Sequence, residues 1–157
     1  MNFFKTMNLI SLLVALCLVA CSSSPSSEAT AVNTPVQGAT VISETEFKTL
    51  VMDYETNPQQ WIYKGELPSI IDFYADWCAP CRRMAPVLDE LARKYAGRVN
   101  IYKVNVDHAR QLASFFGVQS IPTLLFARMN GMPALQPGAM NMEQLVHAIE
   151  NFLLKEE

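Results

Sequence analysis

A run of apolar and aromatic residues, Ser69-Ile70-Ile71-Asp72-Phe73-Tyr74-Ala75, is followed closely by Cys78-Ala79-Pro80-Cys81 and then by a helix-patterned stretch. The run predicts a buried strand, and Pro80 to Ala96 predicts the helix after it. This order places Cys78 near a helix start, where unpaired backbone N–H groups and the positive end of the dipole favour a thiolate. Such a position lowers a thiol pKa from about 8.5 into the range of roughly 3.5 to 7.5, and the thiolate is the form that attacks disulfides. Cys81, one turn further in, is expected to be less exposed. The spacing predicts a dithiol/disulfide switch with Cys78 attacking and Cys81 resolving.

Of the four cysteines, Cys17 lies inside an N-terminal apolar segment and Cys21 at its end, so the globular part keeps only Cys78 and Cys81. Two other readings compete with redox chemistry. A structural staple closing so short a loop would contribute roughly 2 kcal/mol, against about 3 for a fifteen-residue loop. Structural zinc usually takes four Cys or His ligands, and the two histidines, His108 and His147, have no ligand spacing to the cysteines. No metal is expected.

The N-terminus predicts export. Lys5 precedes an uncharged run from Met7 to Ala20. At 1.5 Å per residue this run reaches about 21 Å, short of a hydrocarbon core of about 30 Å. That suits a signal peptide over residues 1–20 better than a membrane span. Leu18-Val19-Ala20-Cys21 resembles the lipobox of bacterial lipoproteins, which implies cleavage before Cys21 and its lipidation; ordinary cleavage nearby, with Cys21 incidental, is the alternative. Several acyl chains would anchor the protein firmly, whereas one binds marginally. The lipobox resemblance, with Ser22 rather than Asp after the cysteine, leans toward the outer membrane. Ser, Thr, Pro and Ala dominate the stretch to Thr40, so residues 21–40 are expected to be a flexible tether of roughly 24 Å.

Residues 41–157 have the size of one domain with its own core. Loss of Lys5 with the signal leaves 11 basic against 15 acidic residues, about −4 in charge, from the 12 and 15 of the whole chain. Without a basic stripe, nucleic-acid binding is not expected.

The rest of this domain alternates. Glu44 to Tyr54 predicts a helix with Ser43 and Glu46 at capping-box spacing. Asn57 to Pro68, with Trp61, Tyr63 and Gly65, predicts an irregular connection. In the helix after Cys78, the residues Met84, Val87, Leu88, Leu91 and Tyr95 share a face, and Pro86 removes a backbone donor and should kink it. Val99 to Asn105 predicts a strand. Asp107 is placed to cap a helix carrying Leu112, Phe115 and Phe116 and ended by Gly117. Thr123 to Ala127, the turn signal Asn130-Gly131 and Ala134 to Gln136 predict two strands, and Leu145, Val146, Ile149 and Leu153 a final helix. The fold class is α/β, a mixed sheet with helices on both faces.

From about residue 41 to 157 the chain resembles the thioredoxin family. Besides the cysteines, Asp72 matches the family's buried strand aspartate, Lys103 its nearby lysine, Pro86 its helix proline, Ile121-Pro122-Thr123 its cis-proline segment, and Gly131 and Gly138 its later glycines. The secreted form and the Trp61 to Gly65 connection are most similar to the lipoprotein and periplasmic thioredoxins of Gram-negative bacteria. The resemblance implies a thioredoxin fold with Pro122 cis beside the start of the Cys-x-x-Cys helix. It also implies a protein-disulfide reductase without a cofactor. Asp72 would accept the Cys81 proton directly or through water, and Lys103 would pair with Asp72 and tune it. Main-chain bonds through Ile121 would hold an extended substrate segment in the manner of strand addition. Trp77, Ala79, Pro80, Ile121, Pro122 and Ala139 would form the substrate-binding rim.

Ala79 replaces the Gly of the commonest motif, Arg82 follows Cys81 where many members have Lys, and Tyr74 replaces a frequent Trp. No His lies between the cysteines as in strong envelope oxidases, so a reductant is expected. Its partners would be disulfide-bearing proteins, a membrane thiol-disulfide electron donor and, through the lipid, a membrane; a monomer is expected. An envelope oxidase or isomerase, a thiol reductant for cytochrome c maturation, and a non-enzymatic lipoprotein scaffold are the alternatives.

Overall fold

The computed structural model describes residues 38–155. The expected signal peptide, Cys21 and most of the expected tether lie outside the described residues.

Five strands form one sheet in the order β1-β3-β2-β4-β5. They are β1 (Thr40–Val41), β2 (Ser69–Tyr74), β3 (Asn100–Asn105), β4 (Thr123–Ala127) and β5 (Ala134–Pro137). β1 and β2 run parallel to β3, β4 runs antiparallel to β2, and β5 antiparallel to β4. The central strand β2 is buried on both faces, which is why its sequence reads as a continuous apolar run rather than an alternation. Asp72, in its middle, stands in register with Lys103 on one side and Leu124 on the other.

Alternate residues of β2 serve separate cores. Ile71 and Phe73 pack with Phe47 of α1 (Glu44–Leu50) and Leu112 of α3 (Arg110–Phe115). Ile70 packs instead with Met84, Leu88 and Leu91 of α2 (Ala79–Lys94) and with Leu145 of α4 (Met142–Ala148). The period-2 alternation of a strand thus aims Asp72 at the α2 side.

The helix starts are chemically specified. Ser43 accepts the Glu46 N–H while the Glu46 carboxylate accepts the Ser43 N–H, the capping box expected from their spacing. Asn141 and Gln144 form a second one at α4, which the sequence reading missed. α4 continues as a π-helical segment, Ile149–Leu153, burying Ile149 and Leu153.

Three expectations are corrected. The first helix stops at Leu50 rather than Tyr54, because Val51 leaves helical backbone angles. Asp107 does not cap α3, whose cap position is Ala109 with no side-chain bond; its carboxylate is engaged elsewhere. Asn130-Gly131 does lie in a hairpin connection, as expected: antiparallel β4 and β5 are joined by residues 128–133, with Gly131 at φ 91°. Thr40, assigned by composition to the tether, pairs with Tyr102 in the sheet, and Ala39 N–H donates to Asp89 at 2.9 Å.

Candidate active site

Cys78 is the N-cap of α2, with extended backbone angles, and its Sγ accepts the Cys81 N–H at 3.2 Å. The helix therefore begins by aiming an otherwise unpaired donor at this sulfur, the local condition that stabilises a thiolate. The two cysteines are joined as a disulfide. Cys78 is 4% exposed and Cys81 3%, so in the oxidised state exposure does not distinguish the two; the helix-start bond received by the Cys78 sulfur does. Pro80 sits in the first turn, where its missing N–H costs nothing, and Pro86 lies within the helix without an N–H to return to the Arg82 carbonyl.

Ala75, Cys78 and Cys81 form a small buried cluster against which Tyr74, Val106 and Ile121 pack. Ile121-Pro122 is a cis peptide, as the family resemblance implies, and the Pro122 carbonyl accepts the Gly138 N–H at 2.8 Å. Two hollows flank the pair. One, of about 340 Å³, is lined by Trp77 and Ile121 with Val106, Ala113 and Val118. The other, of about 410 Å³, is lined by Pro80 and Ala139. Ala79 is exposed between them in sequence. The rim residues expected from the sequence thus split into two groups rather than enclosing one site.

Trp77 is 68% exposed, yet its ring is fixed: Nε1 donates to Asp107 Oδ2 at 2.9 Å. Asp107 is itself held by an Asx turn, its N–H donating to Asn105 Oδ1 at 2.9 Å. Asn105 Nδ2 also donates to Asp76 at 3.2 Å. The sequence signal for this network was Asn105-Val106-Asp107, read only as a strand end and a helix cap.

Asp72 is fully buried, and neither carboxylate oxygen has a hydrogen-bond partner among the described residues. Burial raises its pKa to about 7, while the nearby Lys103 charge pulls the other way. Lys103 makes no ion pair with it among the described residues; its Nζ lies 4.6 Å from the centroid of the Tyr74 ring. A hollow lined by Tyr74, Cys81 and Lys103 lies alongside. Expected as a partner of Asp72, Lys103 acts on it through space while its ammonium rests on an aromatic face.

Residues 41–151 match the family described as Thioredoxin. The chain belongs to the thioredoxin family. It is 37% identical over 111 residues to a thioredoxin of Borreliella burgdorferi, spanning 71% of this chain and 94% of that one. A thioredoxin of Haemophilus influenzae is 44% identical over 92 residues, 59% of this chain and 86% of the relative. In fold, chloroplastic thioredoxin z superimposes with a TM-score of 0.59 at 22% identity, covering 73% of this chain and 93% of that structure. With the Cys78–Cys81 pair, this family membership makes the chain a protein-disulfide oxidoreductase.

Proposed function

We propose that this thioredoxin reduces protein disulfides in a bacterial cell envelope, tethered to a membrane through lipid on Cys21 and recharged by a membrane thiol-disulfide carrier. The observation that carries the chemistry is the Cys78 sulfur at the α2 start, accepting the Cys81 N–H beside Ile121. The Cys78 thiolate attacks one sulfur of a substrate disulfide, forming a mixed disulfide and releasing the other substrate sulfur as a thiol. Cys81, having given its proton toward Asp72, attacks Cys78 Sγ and releases the second substrate thiol. Two electrons pass to the substrate and Cys78–Cys81 is left oxidised. An extended substrate segment bonds to the Ile121 main chain, which makes no hydrogen bond among the described residues.

Direction and place rest on the sequence. No His separates the cysteines, which supports a reductant, and Leu18-Val19-Ala20-Cys21 after an uncharged run supports lipidation and envelope placement, with Ser22 favouring the outer membrane. The test is to equilibrate the detergent-solubilised chain in glutathione buffers and read the Cys78/Cys81 potential. A value near the roughly −270 mV of thioredoxins supports the reductant, and one near the roughly −120 mV of envelope oxidants reverses the direction.

A further inference from the structure

The hollow bordered by Pro80 and Ala139 differs from its counterpart in charge. It starts at Pro80, two residues past the attacking sulfur, and continues over Val87 and Met140. Arg83 is the one charged residue lining it. Its side chain is exposed and makes no hydrogen bond or ion pair among the described residues. The neighbouring arginine differs: Arg82 donates to the Asp76 carbonyl at 2.8 Å. Asn141 and Gln144, the polar side chains on the same wall, are neutral, and their side-chain carbonyl oxygens accept the backbone N–H groups of the α4 capping box. Arg83 is thus the one group in this groove that carries a charge to meet a charged partner.

The hollow on the opposite flank has no charged lining, and the charge bordering it is the Asp107 carboxylate held by Trp77. The site is therefore polarised, with a free cation on the α2 and α4 side and a carboxylate on the Trp77 side, on a chain whose net charge is −3. A net acidic chain repels acidic partners in general, and the unpaired Arg83 guanidinium gives this groove a local attraction for them.

We propose that Arg83 is a specificity-determining residue that selects disulfide-bearing protein segments carrying a carboxylate on the flank of the reactive cysteine laid over Pro80 and Ala139. This rests on the reductase reading above and narrows its substrate class. The ion pair is partly solvent-exposed, so its effect is modest. Exposed pairs contribute about 0.2 to 1 kcal/mol, which corresponds to at most about a fivefold change in rate constant.

The test uses the full chain in detergent and three disulfide-bonded peptides of one sequence, with Gln on both flanks, Glu on the N-terminal flank or Glu on the C-terminal flank. The expected result is that one Glu peptide has a kcat/KM about two- to fivefold above the Gln peptide at low salt. That ratio should fall to about one at 1 M salt, where screening reaches about 3 Å, and also in Arg83→Gln, and should drop below one in Arg83→Glu. Arg93→Gln, at the far end of α2, should keep the parental ratio. Equal rates for all three peptides, or a preference that survives Arg83→Glu, overturn the inference and leave the reductase reading intact. Failure to reduce even the Gln peptide overturns both.

Discussion

At the residue scale, the two cysteines and Asp72 each have a separable signature. Cys78→Ser removes the nucleophile, so reduction of a protein disulfide such as insulin should fall to background in a turbidity assay. Cys81→Ser leaves the attack but not the resolution, and should accumulate a mixed disulfide visible on a non-reducing gel. The opposite pattern would exchange the two roles. Asp72 carries its proton to about pH 7 in the folded chain but only to about 3.8 when unfolded. Between those values the folded state binds the extra proton, so stability is fully present at low pH, falls as pH rises through the window, and is level above it. At 1.36 kcal/mol for each pKa unit, the whole fall is on the order of 4 kcal/mol. Asp72→Asn has no such titration. Urea unfolding of the oxidised protein should show the variant gaining about that much on the parent between pH 4 and pH 8, and a gap that does not move with pH would contradict the burial account.

At the element scale, the α1 capping box was legible in the sequence, whereas the equally local one at α4 was not read. Ser43 and Glu46 announced their capping box because both partners lie within one turn. Ser43→Ala should cost about 1 kcal/mol in urea unfolding and leave disulfide reduction unchanged, since α1 packs on the face of the sheet away from α2. The strand run before Cys78 was legible for a related reason: burial on both faces leaves no polar alternation to misread. What the sequence could not show was set by tertiary partners. Asp107 has the chemistry of a helix cap, but the Trp77 indole lies within hydrogen-bond reach across the chain and the α3 start falls at Ala109 instead. Lys103 is in register with Asp72, as a pair of matched strand residues suggested, yet the Tyr74 ring competes for its ammonium. Tyr74, which stands where the family frequently has Trp, is the ring that receives this ammonium, a contact visible only once the strands are paired. Pro122 gave no cis signal of its own beyond the family resemblance, because the base rate favours trans.

At the scale of the whole molecule, a single sheet separates two apolar cores, and the disulfide sits at the β2–α2 junction with its own small cluster. Completing this arrangement depends on a short edge strand whose first residue, Thr40, composition had assigned to the tether. Thr40 and Val41 pair with Tyr102 and Lys103, Ile42 N–H donates to the Lys103 carbonyl at 2.9 Å, and Ile42 is buried in the α1-side core. A chain beginning at Gly38 keeps all of these and should unfold at the same urea concentration as the full chain in detergent. One beginning at Ser43 loses the Ile42 side chain, worth about 1.5 to 3 kcal/mol of burial, together with the β1 ladder. It also leaves one edge of β3 unpaired beside the register position of Asp72. The shorter chain should therefore be less stable by at least about 2 kcal/mol. Equal stability of the two truncations would mean that β1 and Ile42 contribute nothing and that the domain boundary lies at or beyond Ser43.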